Sequence, residues 1–149
     1  MQKGNPSSHG SSGQNLRILV FGTFDGLHEG HKDFFRQAKE FGDYLMVVVG
    51  RDSTVLSVKK KTPKFNENDR LDVVQKCKYV DFARLGNENV SKYEVIKELK
   101  PDVICLGYDQ SFFTGQLEEK IKEMGFNIPI VRLNAYKQKI YKSSLLNNN

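Results

Sequence analysis

The chain has 149 residues, of which 38% are hydrophobic and 28% charged, a composition typical of one ordinary globular domain. Its longest apolar run, residues 45–49, is far shorter than the roughly 20 residues of a membrane-spanning helix, and its N-terminus lacks the apolar core of a secretory signal. A net charge of +5 favours anionic ligands, either phosphates or nucleic acid.

Residues 1–15 are rich in Ser, Gly and Asn and contain almost nothing apolar. Such a segment contributes little to a core, so we expect a disordered tail. The remainder, residues 16–149, is expected to form a single domain.

The first half of this domain alternates between short apolar runs and helical periodicity. The pattern predicts a strand at 16–21, a Gly-rich stretch at 22–30, and a helix that Gly42 ends at the position after its C-cap. A second strand follows at 44–49, then a polar, Lys-rich loop, and then a helix from about Asn66. The apolar face of the first helix contains Phe34, Phe35, Ala38 and Phe41, and that of the second contains Leu71, Val74 and Cys77.

The second half continues the same alternation. Ser91 and Glu94 form a capping box ahead of a helix that Pro101 ends. Pro129 places the last strand at a sheet edge, because proline has no N–H to donate to a neighbouring strand. In order, the predicted elements are a strand at 79–85, a helix that buries Val95, Ile96 and Leu99, a strand at 103–106, a helix at 116–124 followed by Gly125, a strand at 128–133, and a short terminal helix capped by Ser143 or Ser144.

Alternating strands and helices predict a Rossmann-like three-layer α/β/α sandwich with a five-stranded, mostly parallel sheet. Such sheets bind ligands beyond the C-terminal ends of their strands, where the strand order reverses. We therefore expect function in the turns that follow Phe21, Leu106 and Leu133.

The first of these turns, residues 22–31, reads GTFDGLHEGH. Its glycines allow the backbone to approach a ligand closely, and the following helix start attracts anions through its N–H groups and its dipole. His28 and His31 are three residues apart and therefore share one face of the first helical turn. Two imidazoles and a set of amides predict a site for a phosphate that gains charge during a reaction.

Two other interpretations of this turn remain. A His-x-x-His pair can bind a metal, but the sequence offers no convincing third ligand nearby, and no metal-ligating residue is predicted. Both histidines could instead be exposed residues at a helix start. A dinucleotide fingerprint is absent, because the turn lacks Gly-x-Gly-x-x-Gly.

The motif at 22–31 resembles that of the nucleotidyltransferase superfamily whose hallmark is His-x-Gly-His, and in particular its cytidylyltransferase-like branch. The resemblance extends over residues 17–146. Within the branch, residues 106–110 (LGYDQ), Tyr136 and residues 141–144 are most similar to the archaeal-type FAD synthases.

The resemblance implies that the first turn binds a nucleoside triphosphate. Thr23 and Phe24 would pack against the nucleotide and offer backbone N–H groups to its phosphates. His28 and His31 would be the catalytic residues, because they would hold the α-phosphate and stabilise the charge that grows there. The nucleotide-binding set implied for this turn is Thr23, Phe24, His28, Glu29, Gly30 and His31.

Later segments would complete the nucleotide site. Asp109 and Tyr136 would lie at the base and ribose, and Ser143 and Ser144 would present a helix N-terminus to the β- and γ-phosphates. The sequence departs from the Arg-Thr-x-Gly-x-Ser-Thr ending of cytidylyltransferases, since residues 140–144 read IYKSS instead. This departure weakens the case for a glycerol 3-phosphate acceptor.

Lys59, Lys60 and Lys61 form a basic run in the predicted loop after the second strand. Such a run is ordinarily a solvated face. The alternative is a clamp over the triphosphate, because related enzymes carry lysines in this loop. We expect Lys59 and Lys61 to contact phosphate.

Other charged residues and the cysteines have less specific interpretations. Asp25 is expected either to bond nearby backbone in an Asx turn or to contact Mg²⁺. Arg70 is expected to be a structural ion-pair partner, whereas Arg132 could contact phosphate or lie on the surface. Cys77 lies on the apolar face of its predicted helix and Cys105 in a predicted buried strand, so we expect both to be small core residues. The two cysteines are far apart and have no metal-ligand or redox spacing, which favours a reduced, cytoplasmic protein.

The leading hypothesis is a nucleotidyltransferase that transfers AMP from ATP to FMN, giving FAD and pyrophosphate, with Mg²⁺ or another divalent cation on the triphosphate. The alternative enzyme uses CTP and glycerol 3-phosphate or another small phosphate ester. A nucleotide-sensing module is the non-enzymatic alternative. Nucleic acid is not an expected partner, because the charge is dispersed and no aromatic–basic motif is present. A membrane partner is not expected either, and a homodimer remains open because relatives are often dimers.

Overall fold

The computed structural model describes residues 16–87, 93–107 and 114–134. The expected tail at 1–15, the capping residue Ser91 and the expected terminal helix lie outside these ranges. No helix within the described ranges is long and apolar enough to cross a membrane.

The described residues form five strands: β1 (Arg17–Gly22), β2 (Tyr44–Val49), β3 (Phe82–Leu85), β4 (Val103–Leu106) and β5 (Ile130–Arg132). They form one parallel sheet in the order β3-β2-β1-β4-β5, and this topology confirms the predicted α/β fold. The strand order reverses between β1 and β4, and β5 lies at an edge, as Pro129 predicted.

Five described helices accompany the sheet: α1 (Glu29–Lys39), α2 (Asp52–Lys59), α3 (Glu67–Gln75), α4 (Glu94–Leu99) and α5 (Thr114–Glu123). Apolar clusters lie on both faces of the sheet. One cluster joins strand residues such as Ile18 to Phe35 of α1 and Val74 of α3. The other joins Leu19 and its neighbours to helices α4 and α5. The domain therefore has three layers, and the adjacent residues Ile18 and Leu19 point to opposite faces, as strand geometry requires.

Helix α1 ends earlier than the sequence pattern predicted. It stops at Lys39 with Glu40 as a right-handed C-cap, and Phe41 beyond it is 40% exposed instead of buried. The prediction that Gly42 ends the helix was wrong, because its φ is not positive. A Cβ on Gly42 would stand 2.6 Å from both the carbonyl oxygen of Leu16 and a methyl carbon of Ile18, so this glycine permits close packing.

Gly125 does end a helix as predicted. Its φ is +86°, and its N–H donates to the carbonyl of Lys122. The N–H of Phe126 donates to the carbonyl of Ile121, which completes a Schellman motif.

Helix α2 lies where the sequence predicted a polar loop, and that prediction was wrong. Its residues include Ser53, Thr54 and Val55, which are weak helix formers, so the local pattern does not indicate a helix. Tertiary contacts fix its first turn instead. The N–H of Asp52 donates to Glu67 at 2.8 Å, and the Asp52 carboxylate pairs with Arg70 at 2.6 Å.

Strand β3 is shorter than predicted, because Tyr79 and Val80 belong to the turn before it. Cys77 and Cys105 are buried and unpaired, as expected of core residues. Burial raises the pKa of the Cys105 thiol to about 12, so this thiol stays protonated at neutral pH.

Candidate nucleotide-binding site

Strands β1 and β4 are parallel neighbours, so their C-terminal ends lie side by side at one edge of the sheet, at the point where the strand order reverses. The end of β5 is joined to the same edge. The N–H of Leu133 donates to the carbonyl of Leu106 at 2.8 Å, and the guanidinium of Arg132 donates to the carbonyl of Gly107 at 2.7 Å. Arg132, which the sequence left open, thus binds the backbone after β4.

The two histidines cap the start of α1 reciprocally. His28 is the N-cap residue, and its Nδ1 accepts the N–H of Gly30 at 3.0 Å. His31 is at the third helical position, and its Nδ1 accepts the N–H of His28 at 3.2 Å. This is the pattern of a capping box with imidazoles as the side-chain acceptors.

The capping geometry determines which ring nitrogen can donate. Because each Nδ1 accepts a backbone N–H, each neutral ring carries its proton on Nε2. The rings of His28 and His31 stack with centroids 3.9 Å apart and planes 28° apart, so the two rings form one compact pair. Such a pair can donate two hydrogen bonds to one phosphate group.

The capping bonds also change which backbone groups remain for a ligand. The N–H groups of His28 and Gly30 already donate to the rings. The N–H of Glu29 has no acceptor among the residues that the structure describes. The exposed side chain of Glu29 pairs with Lys32 at 3.4 Å.

Phe24 packs against His31 of this pair. Its φ of 54° is in the left-handed region, which a bulky residue seldom adopts, and its side chain is buried. A Cβ on Gly22 would stand 2.4 Å from the tip of the Phe24 ring, so only glycine leaves room for that ring. The ring packs against that of His31 in a T-shaped arrangement with centroids 5.4 Å apart. Phe24 therefore uses its ring inside the protein, whereas its backbone N–H has no acceptor among the residues that the structure describes.

Arg70 holds the ends of two strands together. Its side chain is fully buried, and its ion pair with Asp52 confirms the expected structural role. The guanidinium donates four hydrogen bonds, to the carbonyls of Thr23 (2.8 Å), Gly50 (2.8 Å) and Phe65 (2.9 Å) and to the carboxylate of Asp52 (2.6 Å). Thr23 follows β1 and Gly50 follows β2, so Arg70 fixes the first loop relative to its neighbour.

Asp25 links the same loop to the segment before α3. Its two carboxylate oxygens accept the backbone N–H groups of Lys64 at 2.6 Å and Phe65 at 2.8 Å. Partial burial by itself raises the pKa of Asp25, but these two hydrogen bonds and the positive charges of Arg70 and Lys64 outweigh it and lower that pKa. The prediction that Asp25 bonds nearby backbone in an Asx turn was wrong, because the N–H groups that it accepts belong to residues 39 and 40 positions away.

The structure brings six of the predicted site residues into one turn: Thr23, Phe24, His28, Glu29, Gly30 and His31. Lys59 and Lys61 are exposed at the C-terminal end of α2, and no hydrogen bond or ion pair between described residues joins them to that turn. Four further candidates lie outside the described residues: Asp109, Tyr136, Ser143 and Ser144.

Sequence reasoning missed that Arg70 and Asp25 join the first loop to the α2–α3 region. A signal for Arg70 was present, because it shares the helical face of Val74 and Cys77, both buried. A charged residue on an apolar face predicts a buried hydrogen-bonding role. No comparable signal exists for Asp25, whose partners are backbone groups distant in sequence.

Comparison with known proteins gives concordant results. A family model described as cytidylyltransferase-like matches residues 19–147. A relative from Thermoplasma volcanium named FAD synthase is 43% identical over 129 residues, which are 87% of this chain and 89% of the relative. Proteins of the same name from Thermococcus sibiricus and Methanococcoides burtonii are 39% and 46% identical, over 88% and 78% of this chain and 89% and 80% of their own lengths.

Two solved structures share the fold. A Thermoplasma volcanium protein described as a lipopolysaccharide core biosynthesis protein superposes with a TM-score of 0.76 at 43% identity, covering 81% of this chain and 98% of that one. An Archaeoglobus fulgidus protein of unknown function superposes with a TM-score of 0.66 at 17% identity, covering 83% of this chain and 93% of that one. The second likeness concerns the fold alone.

Proposed function

Because the chain belongs to the cytidylyltransferase-like family, we propose that it is a nucleotidyltransferase that transfers AMP from ATP to FMN, giving FAD and pyrophosphate. The reciprocal imidazole cap of His28 and His31 at the strand-order reversal is the structural observation that supports nucleotidyl transfer. The choice of ATP and FMN is supported by relatives named FAD synthase that are 39–46% identical over most of the chain.

The reaction needs one bond to form and one to break. A phosphate oxygen of FMN attacks the α-phosphorus of ATP, and the bond between that phosphorus and the bridging oxygen breaks, so that pyrophosphate leaves with the electron pair. The Nε2–H groups of His28 and His31 donate to oxygens of the α-phosphate, where negative charge changes most. Removing one such donor costs about 100- to 1,000-fold in kcat in comparable sites.

The backbone around the histidines positions the triphosphate. Thr23, Phe24 and Glu29 contribute N–H groups, and the cap rings keep the N–H groups of His28 and Gly30 in place. Arg70 holds the Thr23 carbonyl, which keeps this loop in one conformation before substrate binds.

The more distant candidates complete the proposed site. Lys59 and Lys61 are assigned to the triphosphate, Asp109 and Tyr136 to the base and ribose, and Ser143 and Ser144 to the β- and γ-phosphates. Asp109 lies two residues after Gly107, the residue that follows β4 and whose carbonyl Arg132 binds. Asp109 therefore lies close in sequence to the end of β4, one of the two strands at the strand-order reversal.

A divalent cation fits this site as a companion of the nucleotide. The described residues hold no group of three or more His, Cys, Asp or Glu side chains that could ligate a metal ion. Triphosphate oxygens would therefore supply most of its ligands, as is usual for Mg²⁺. When bound, the cation neutralises charge on the leaving pyrophosphate. Unpaired Cys77 and Cys105 are in keeping with the proposed cytoplasmic location.

A substrate panel tests the proposal. Purified protein with Mg²⁺ is given ATP or CTP together with FMN, glycerol 3-phosphate or nicotinamide mononucleotide, and pyrophosphate release is measured. We expect release, with FAD as product, from ATP and FMN alone. Preference for CTP would refute the proposed donor, and absence of turnover with every pair would favour a nucleotide-sensing module.

A further inference from the structure

Phe65 is an exposed aromatic residue beside the histidine turn. Its side chain is 44% exposed, although phenylalanine is ordinarily buried. One edge of its ring, Cε2, lies 3.4 Å from the position that a Cβ on Gly26 would occupy. Gly26 precedes His28 by two residues, so the ring rests on the loop that carries the proposed catalytic pair.

The backbone of Phe65 is fixed on both sides. Its N–H donates to Asp25 at 2.8 Å, and its carbonyl accepts from Arg70 at 2.9 Å. Arg70 is fully buried and also binds the carbonyl of Thr23. Asp25 therefore fixes the position of Phe65 directly, and Thr23 fixes it through the side chain of Arg70.

The fold does not explain why this position is aromatic. Phe65 immediately precedes Asn66, the N-cap of α3, where an apolar residue commonly packs against the fourth helical residue as a hydrophobic staple. In α3 the fourth residue is Arg70, whose guanidinium binds the Phe65 carbonyl and offers no apolar partner. Phe65 also belongs to neither apolar cluster of the described residues. An exposed ring forgoes the stabilisation that burial supplies, and this ring does so against Gly26 in the proposed catalytic turn, where a substrate would cover it.

The location of Phe65 indicates which flat ring of the substrates it contacts, the adenine of ATP or the isoalloxazine of FMN. The adenine of ATP is assigned to Asp109 and Tyr136, which follow β4 and β5. Phe65 is tied through Arg70 to Thr23 and Gly50 at the ends of β1 and β2, on the other side of the strand-order reversal. The ring of Phe65 therefore lies on the side of the reversal to which adenine is not assigned.

We propose that Phe65 is a specificity-determining residue whose ring stacks on the isoalloxazine of FMN, an inference that rests on the proposed function. Gly26 and His28 are two residues apart, so their Cα atoms lie within about 7 Å. The ribityl chain of FMN spans such a distance between the flavin ring and its phosphate. FMN bound in this way has its ring at Phe65 and its phosphate at the histidine pair. Smaller phosphate esters lack a ring and gain nothing from this contact.

Variants at Phe65 test the stacking contact, with Phe41→Leu as a matched control. Phe41 has similar exposure but follows α1, at the opposite edge of the sheet. Binding is followed by quenching of FMN fluorescence with Mg²⁺ and a non-hydrolysable ATP analogue present, and turnover by FAD formation. Phe65→Leu should raise Kd and KM for FMN about tenfold, which is typical of losing one stacking ring. KM for ATP should stay unchanged, Phe65→Tyr should bind FMN like wild type, and Phe41→Leu should have no effect.

Each contrary outcome has a distinct meaning. If wild type forms FAD and Phe65→Leu retains the wild-type KM and quenching for FMN, the stacking role is wrong while the proposed function stands. A rise in KM for ATP instead of FMN would assign the ring to the donor and overturn the inference. If wild type forms no FAD, the proposed function fails and the inference fails with it. Phe65→Met provides the same comparison if circular dichroism shows that Phe65→Leu is unfolded.

Discussion

Replacing Arg70 by methionine tests how the first loop is held in place. Methionine retains an apolar stem of similar length but donates none of the four hydrogen bonds of the guanidinium. Three backbone carbonyls would lose a donor, and the Asp52 carboxylate would lose its ion-pair partner. Each buried carbonyl that is left without a donor costs about 1–3 kcal/mol, so the three together cost at least about 3 kcal/mol. The side chain of Asp52 is 40% exposed and regains water, so it adds little. We expect Arg70→Met to lower the free energy of unfolding by at least about 3 kcal/mol, a large part of the roughly 5–15 kcal/mol of a typical domain.

Urea denaturation followed by far-UV circular dichroism measures this loss. The chain has no tryptophan, so the backbone signal is preferable to fluorescence. Arg36→Met is the matched control, because Arg36 also pairs with carboxylates, Asp33 and Glu40, but on the exposed face of α1. Its unfolding midpoint should stay near wild type, since exposed ion pairs contribute little. If Arg70→Met unfolded at the same midpoint as the control, the proposed role of the guanidinium would be refuted.

Substitutions at three further positions test the turn itself. Asp25→Asn should be less stable than wild type at neutral pH in urea titrations. Because the folded-state pKa of Asp25 lies below its ordinary 3.8, the carboxylate contributes its full stabilisation above 3.8. The difference should shrink as the pH falls from about 3.8 through the lowered pKa. His28→Asn keeps an N-cap acceptor but loses the Nε2–H donor. Its kcat should therefore fall at least about 100-fold while its unfolding midpoint stays near wild type. His28→Ala should show the same fall in kcat and should also lose about 1 kcal/mol of stability, because alanine has no capping acceptor. Gly22→Ala should cost about 1–3 kcal/mol and reduce kcat, because the new methyl group overlaps the Phe24 ring. Gly86→Ala, whose nearest contact would be at 3.7 Å, should change neither.

The strands were predictable because their burial is a local property of the sequence. β2 and β4 were predicted residue for residue, since Tyr44–Val49 and Val103–Leu106 are continuous apolar runs, as is typical of parallel strands covered on both faces. Helix α2 was not predictable, because its residues have weak helix propensity and its first turn depends on Glu67 and Arg70. Contacts from a later helix do not appear in a local pattern.

The site was predictable in place but not in detail. The Gly-rich turn after β1 and the shared face of His28 and His31 followed from spacing alone. Their use as caps did not follow, because histidine is an uncommon N-cap and the sequence indicated amides open to a phosphate. The rings instead occupy two of those amides by accepting through Nδ1, so Nε2 is the donor nitrogen of each neutral ring. The partners of Asp25 were equally hidden, since the nearer of them, Lys64, lies 39 residues away in the sequence.

A crystal of the protein with Mg²⁺ and a non-hydrolysable ATP analogue tests the central claim most directly. The Nε2 atoms of His28 and His31 should both lie about 3 Å from oxygens of the α-phosphate, with each Nδ1 still accepting its backbone N–H. A nucleotide bound elsewhere, with the turn after β1 vacant and both rings facing solvent, would contradict the assignment of these two histidines to nucleotidyl transfer.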